Sequence, residues 1–284
     1  MVRLKDDIDE CACIRCQGVE YEVVHRSLAG ALTWSGKLPV VRPSILLVFL
    51  AVAVVQLLAM LAPAELAFVG LGAGVLGVFV GRGYIGVVGR EALGGRQPSP
   101  VEALRVVFRR VPAFLGAVLV VLTILATSSL LVVLVLSPAA TQLLEPAGVD
   151  AVTVEIATLF GLAGILVSVL IKSVFVPEAC FIGGYGPVES FRVSWTITTV
   201  HRAKVALIVA GFAVLLGVGV LLDTHLADPA SPVALTLQFG DTTVVLRSFG
   251  FSLAGGVRFV FDLAVTALYS GVFVHQYVNS VFER

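Results

Sequence analysis

The chain has 284 residues, of which 58% are hydrophobic and 13% are charged, and its formal net charge is zero. Soluble domains are typically about half apolar and about a quarter charged, so a mean hydropathy of +1.02 excludes a soluble globular protein. The balanced charge gives no indication of a nucleic-acid partner. The composition instead predicts an all-α membrane protein whose main partner is the lipid bilayer.

The first 26 residues form a polar arm, which we expect to lie in the cytoplasm. The arm contains the cluster Cys11-x-Cys13-x-x-Cys16, and His25 is the nearest further donor. This spacing suits thiolate ligation of zinc or of an iron–sulfur cluster. A closed site normally needs four ligands, and the usual paired C-x-x-C arrangement is absent. We therefore predict that the arm is an accessory tail of free cysteines with no bound cofactor. The alternative is that these residues bind zinc or an iron–sulfur cluster.

Residues 27–284 are predicted to form one transmembrane domain of six helices. A helix needs about 20 mainly apolar residues to cross about 30 Å of hydrocarbon. The segments that satisfy this length are Pro43–Leu61, Leu66–Val88, Val111–Leu136, Ala157–Val176, Val205–Leu222 and Ala254–Val274.

The orientation follows from the placement of Lys and Arg, which are enriched in cytoplasmic connections. The arm and every second connection are basic, whereas the stretch Ser137–Ile156 contains no Lys or Arg. The basic residues that follow the second and fourth spans are Arg90, Arg96, Arg105, Arg109, Arg110, Arg192, Arg202 and Lys204. This alternation predicts a multi-pass protein of the cell membrane with both termini in the cytoplasm.

Two cytoplasmic connections repeat a short motif. Residues 100–106 read PVEALRV and residues 187–193 read PVESFRV, with five of seven positions identical. Each motif follows a small residue, Ser99 or Gly186, which is typical of the cap of a helix that begins at the proline. We predict short amphipathic helices that enter the spans, and a weaker third copy at residues 27–34. On the external side, alternation around Gly240-Asp241 predicts a small β-hairpin at about residues 233–249.

Charged residues inside the spans are the main candidates for a polar site. Arg258 and Asp262 lie four residues apart in the sixth span, where charges are costly unless they are paired. A structural pair that fixes helix rotation is one interpretation, and a proton or transport site is the other. Arg82 and Lys172 lie near cytoplasmic span ends, where we expect both to snorkel to the interface.

The second span is rich in glycine. Gly70 and Gly74, and then Gly77 and Gly81, have the G-x-x-x-G spacing that permits close helix approach. Intramolecular packing is the default interpretation. A homo-oligomer or a membrane-protein partner held through this span is the alternative.

The junction between the fourth and fifth spans carries a family resemblance. It contains Val176-Pro177-Glu178-Ala179, then Pro187-Val188-Glu189-Ser190-Phe191 and Ser194-Trp195. Over roughly residues 25–280 the chain resembles prokaryotic six-span proteins similar to the membrane domain of glycerophosphodiester phosphodiesterase. The resemblance implies a six-helix membrane domain with cytoplasmic amphipathic linkers. It does not imply the phosphodiesterase activity, because no room remains for that enzyme's soluble barrel. The cysteine arm and the external hairpin are departures from the pattern.

The sequence contains no Walker loop, no G-x-S-x-G and no H-E-x-x-H motif. We therefore predict that the protein is not an enzyme. The favoured function is that of a structural or accessory component of the cell membrane. The alternative is a small transporter or permease with a polar site near Arg258 and Asp262.

Overall fold

The structure is a computed structural model that describes residues 27–61, 64–93, 98–144, 146, 149–226, 233–239, 242–249 and 253–282. The described part is predominantly helical. Its helices are α1 (Leu28–Val41), α2 (Ser44–Leu61), α3 (Ala64–Leu93), α4 (Pro100–Leu131), α5 (Ser137–Leu144), α6 (Ala151–Lys172), α7 (Val176–Phe181), α8 (Pro187–Val200), α9 (Arg202–Leu226) and α10 (Leu253–Phe282).

Two strands, β1 (Val233–Phe239) and β2 (Thr242–Phe249), form an antiparallel two-stranded sheet. Val233 pairs with Phe249, and Phe239 pairs with Thr242 at the turn end. The register shifts between Leu235 and Thr236, which is the signature of a β-bulge. The sheet lies in the connection between α9 and α10.

Helix α1 ends in a sharp bend at Arg42 and Pro43. Its N-cap is Ser27, whose hydroxyl accepts a hydrogen bond from the Gly30 N–H at 3.2 Å. Arg42 has φ −128° and ψ 77°, outside the helical region, and a following proline disfavours the helical conformation at this position. The axes of α1 and α2 therefore differ by 83°.

The glycines of α3 let neighbouring helices approach closely. A Cβ added at Gly77 would lie 3.0 Å from the Val52 side chain, and one added at Gly81 would lie 3.1 Å from the Phe49 ring. The G-x-x-x-G pair at 77 and 81 thus packs against α2 of the same chain. At Gly72, by contrast, an added Cβ would meet nothing within 4 Å.

Helix α4 continues without a break through a π-helical turn, Val132–Leu136, into α5. It starts with a capping box, in which the Ser99 hydroxyl accepts from the Glu102 N–H and the Glu102 carboxylate accepts from the Ser99 N–H. Helix α8 starts with one half of this arrangement: the Glu189 carboxylate accepts a hydrogen bond from the Gly186 N–H at 3.3 Å, but Gly186 has no side chain to return it. Both helices also have proline as their first residue.

The core lies around the second half of α10. Every residue from Ser270 to Ser280 is buried, including His275, Gln276 and Asn279. Ser35 of α1 donates a hydrogen bond to the Leu268 carbonyl, and the absence of a side chain at Gly271 leaves room for Ser35. Helix α10 is thus the axis on which α1, α3, α7 and α9 pack.

Within the described residues, four helical stretches are long and apolar enough to cross a membrane. They are Gly72–Leu93, Pro100–Leu143, Val152–Phe181 and Arg202–Leu222, and the bent pair Leu28–Val41 and Ser44–Val55 adds a fifth if it is one span. The chain therefore carries the helices of a multi-pass membrane protein.

Candidate functional site

Arg258 and Asp262 lie one turn apart on α10 and form an ion pair. The Arg258 Nε donates to Asp262 Oδ2 at 3.2 Å, and Arg258 Nη2 lies 3.2 Å from Asp262 Oδ1. The Arg258 side chain is buried, whereas the Asp262 side chain keeps 22% of its exposure. The i,i+4 spacing places both groups on one face of the helix, so each offsets the charge of the other.

Arg258 occupies a space that α9 leaves open at Gly219. A Cβ added at Gly219 would collide with the Arg258 guanidinium. The Arg258 Cζ also lies 5.9 Å from the centroid of the Phe261 ring. The arginine is therefore part of the packing between α9 and α10.

Arg82 does not snorkel to the interface, and that expectation is wrong. Its Nε donates to Glu178 Oε1 at 2.6 Å, and its Nη2 donates to Glu178 Oε2 at 2.9 Å. The side chains of Arg82 and Glu178 are only 14% and 1% exposed. A fork-shaped pair of this kind is strong and directional. Because both side chains are buried, the Arg82 guanidinium is neutralised by Glu178 and does not need to extend to water.

The same guanidinium joins three parts of the chain. Arg82 Nη2 also donates to the Val174 carbonyl at 2.7 Å, and Arg82 Cζ lies 4.4 Å from the centroid of the Phe273 ring. Arg82 belongs to α3, Val174 precedes α7, and Phe273 belongs to α10. We call Arg82, Val174, Glu178 and Phe273 the Glu178 cluster.

Helix α7 is a buried plug, since all six of its residues from Val176 to Phe181 are buried. The loop that follows it is held by two further arginines. Arg90 Nη1 donates to the Ile182 carbonyl at 3.4 Å, and Arg110 Nη1 donates to the Gly184 carbonyl at 3.2 Å. Gly184 has φ 63°, a left-handed conformation that favours glycine. The arginines of α3 and α4 therefore fix the turn between α7 and α8.

Helix α8 closes over this loop through small polar side chains. Cys180 Sγ donates to Ser190 Oγ at 3.0 Å, and Ser190 Oγ donates to the Tyr185 carbonyl at 3.3 Å. Burial raises the pKa of the Tyr185 phenol to about 12, and the nearby Glu189 carboxylate acts in the same direction. The phenol therefore stays neutral at physiological pH and contributes no titrating charge to the loop.

A small cavity lies between α1, α9 and α10. It has a volume of about 10 Å³, and its lining includes Lys204, His275 and Gln276. This volume holds about one water molecule, which such polar groups can bind.

The predicted cysteine cluster, Cys11, Cys13 and Cys16 with His25, lies outside the described residues, as does the arm at 1–26. Elsewhere, in the part of the chain that the structure describes, no group of three or more His, Cys, Asp or Glu side chains is placed to hold a metal ion.

Glu178 was not among the residues predicted from the sequence to form a polar site. Its signal was nonetheless present, because Arg82 and Glu178 are opposite charges at the same end of two predicted spans, the second and the fourth. Hydropathy marks each charge as unusual but does not show that residues 96 positions apart are partners.

Comparison with known proteins gave no match to any family model, to any curated protein or to any solved structure.

Proposed function

We propose that this chain is a non-enzymatic integral membrane protein that acts as a structural or accessory component of the cell membrane. The Glu178 cluster is the observation that carries the proposal. Its carboxylate is 1% exposed and takes both of its close donors from Arg82 of the same chain. The charges at the centre of the fold thus hold α3, α7 and α10 together, a use that requires no substrate.

Six spans are part of this proposal. We infer that α2 and α10 also cross the membrane, in addition to the four long apolar stretches in α3, α4, α6 and α9. Helix α2 has 18 residues, which at 1.5 Å per residue gives about 27 Å, close to the hydrocarbon thickness of about 30 Å. The shared Pro-Val-Glu starts of α4 and α8 support an origin by internal duplication, with both units entered from the cytoplasmic face.

Residue-specific labelling tests the orientation. In a background with all four cysteines replaced by serine, Asp150→Cys and Arg109→Cys each introduce one thiol at an exposed position. We expect a membrane-impermeant maleimide to label Asp150→Cys in intact cells and Arg109→Cys only after permeabilisation. Labelling of Arg109→Cys alone in intact cells would show the opposite orientation.

A small transporter is the second candidate, and the exposure of Asp262 favours it. A carboxylate that keeps 22% exposure beside a buried arginine is an intramembrane charge of the kind that marks transport pathways. Transporters often place such groups on helices between structural repeats. The structural proposal assigns the pair to packing instead, because Arg258 fills the space at Gly219.

Asp262→Asn separates the two functions. We expect proteoliposomes of the wild type and of Asp262→Asn to show the same slow proton entry as empty liposomes under an imposed pH gradient, measured with an entrapped pH-sensitive dye. Equal growth of cells that carry either form is the matching result in vivo. Proton entry that is fast in the wild type and lost in Asp262→Asn would overturn the structural proposal.

A further inference from the structure

Helix α8 has one face buried in the fold and an opposite face that is exposed and includes a tryptophan. Ser190, Val193, Ser194, Ile197 and Thr198 are buried against the rest of the fold. The opposite face exposes Val188, Arg192, Trp195 and Thr199. Trp195 is 45% exposed, although tryptophan is among the side chains that gain most from burial.

Lys172, the last residue of α6, lies beside this tryptophan. Its ammonium donates to Thr199 Oγ1 at 2.7 Å and lies 5.3 Å from the centroid of the Trp195 ring. An ammonium has three N–H donors, so donors remain after the bond to Thr199. The indole ring and the lysine thus form one exposed surface with an apolar part and a cationic part.

Buried hydrogen bonds connect the two helices that carry this surface, α6 and α8. The Ser194 hydroxyl donates to the Lys172 carbonyl at 2.6 Å and accepts from the Phe175 N–H at 3.1 Å. Ser194 itself is fully buried. The end of α6 is therefore fixed to α8, and the position of Lys172 relative to Trp195 does not depend on surface side chains.

The charge of the surface is positive. Arg192 is exposed and lies three residues before Trp195, on the same face of α8. The nearest acidic residue along α8, Glu189, directs its carboxylate to the Gly186 N–H at the start of its own helix. Two cations therefore flank one exposed indole.

We propose that Lys172, Arg192 and Trp195 bind the headgroup of an anionic phospholipid in the leaflet at this end of α6. Ammonium and guanidinium groups complement a lipid phosphate. Tryptophan is enriched at the level of lipid headgroups, and Val188 and Val200, each 58% exposed, lie on the same helix where they can contact acyl chains. The proposal rests on α6 crossing the bilayer and does not depend on which side of the membrane this end faces.

Fluorescence quenching tests the site directly, because the chain has two tryptophans. In Trp34→Phe, Trp195 is the one remaining indole. The protein is reconstituted in bilayers of phosphatidylcholine and phosphatidylglycerol, with either lipid carrying brominated acyl chains. We expect brominated phosphatidylglycerol to quench Trp195 more strongly than brominated phosphatidylcholine. Lys172→Gln and Arg192→Gln should each lower this preference about fivefold, the effect of one cation near a lipid surface.

Lys37→Gln is the matched control, since it removes an exposed cation from α1 and should leave the preference unchanged. Equal quenching by both lipids, or an equal loss of preference in Lys37→Gln, would overturn the site. Absence of quenching by either lipid would instead place Trp195 outside the bilayer and overturn the membrane position of α8. Subtracting the fluorescence of Trp195→Phe from that of the wild type gives the quenching of Trp195 in a protein that keeps Trp34.

Discussion

Glu178→Gln is expected to lower the free energy of unfolding by about 3–5 kcal/mol, which is the cost of breaking a buried ion pair by removing one partner. The substitution keeps the shape of the side chain but leaves the Arg82 guanidinium as an uncompensated charge. Arg82 has little exposure of its own, and neither the Val174 carbonyl nor the Phe273 ring, which it also contacts, carries a compensating charge. The measurement is the apparent melting temperature of the detergent-solubilised protein, followed by the monodisperse fraction after heating.

The double variant Arg82→Met with Glu178→Met separates lost charge pairing from lost packing. Replacing both partners by apolar groups of similar size removes the uncompensated charge, so the double variant should recover most of the lost stability. Glu91→Gln is the control on the same helix as Arg82, and it should change stability by about 0.5 kcal/mol or less. A Glu178→Gln protein as stable as Glu91→Gln would show that the pair does not hold the fold together.

Gly83→Ala is expected to destabilise the protein by about 1–3 kcal/mol through overpacking. The added Cβ would lie 2.8 Å from Cγ and Cδ2 of Phe181, closer than side-chain carbons approach without a shift. Phe181 cannot move away easily, because it is buried and its ring stacks on Phe114 with centroids 5.2 Å apart. The added methyl group is therefore expected to push α3 and α7 apart. The same melting assay measures the loss.

Gly161→Ala is the matched control, since an added Cβ at this position of α6 would meet nothing within 4 Å. Alanine also favours a helix over glycine by up to about 1 kcal/mol, so this variant should be as stable as the wild type or slightly more stable. The two substitutions are chemically identical, and only the surroundings differ. Equal losses in both would show that glycine flexibility, not the approach of α7 to α3, explains the effect.

Much of the local structure could be predicted from the sequence, because membrane-spanning helices obey a simple length and hydropathy rule. The predicted first span, Pro43–Leu61, and the observed helix Ser44–Leu61 differ by one residue. The predicted second span ended at Val88, but the helix continues to Leu93. Polar residues can extend a helix beyond the apolar stretch that hydropathy detects.

The candidate site was harder to predict, for reasons that concern contacts and not composition. Arg258 and Asp262 are neighbours on one helix turn, so their spacing alone was enough to pair them. Arg82 and Glu178 meet because α7 packs against α3, and no local pattern in the sequence shows that contact. The bend of 83° between α1 and α2 lies at Arg42 and Pro43, but the sequence does not show that α1 then packs on α10.

The continuous helix formed by α4, the π-helical turn and α5 has a consequence for the membrane itself. Its apolar run, residues 111–136, measures about 39 Å at 1.5 Å per residue, which exceeds the hydrocarbon thickness of about 30 Å. Such a mismatch is relieved by helix tilt or by local thickening of the bilayer, and it favours thicker membranes. In its most apolar stretch of 18 residues only 6% is buried within the protein, against 47% for the corresponding stretch of Gly72–Leu93. Lipid therefore contacts most of this stretch, and the thickness of the surrounding bilayer becomes a determinant of the tilt of the helix.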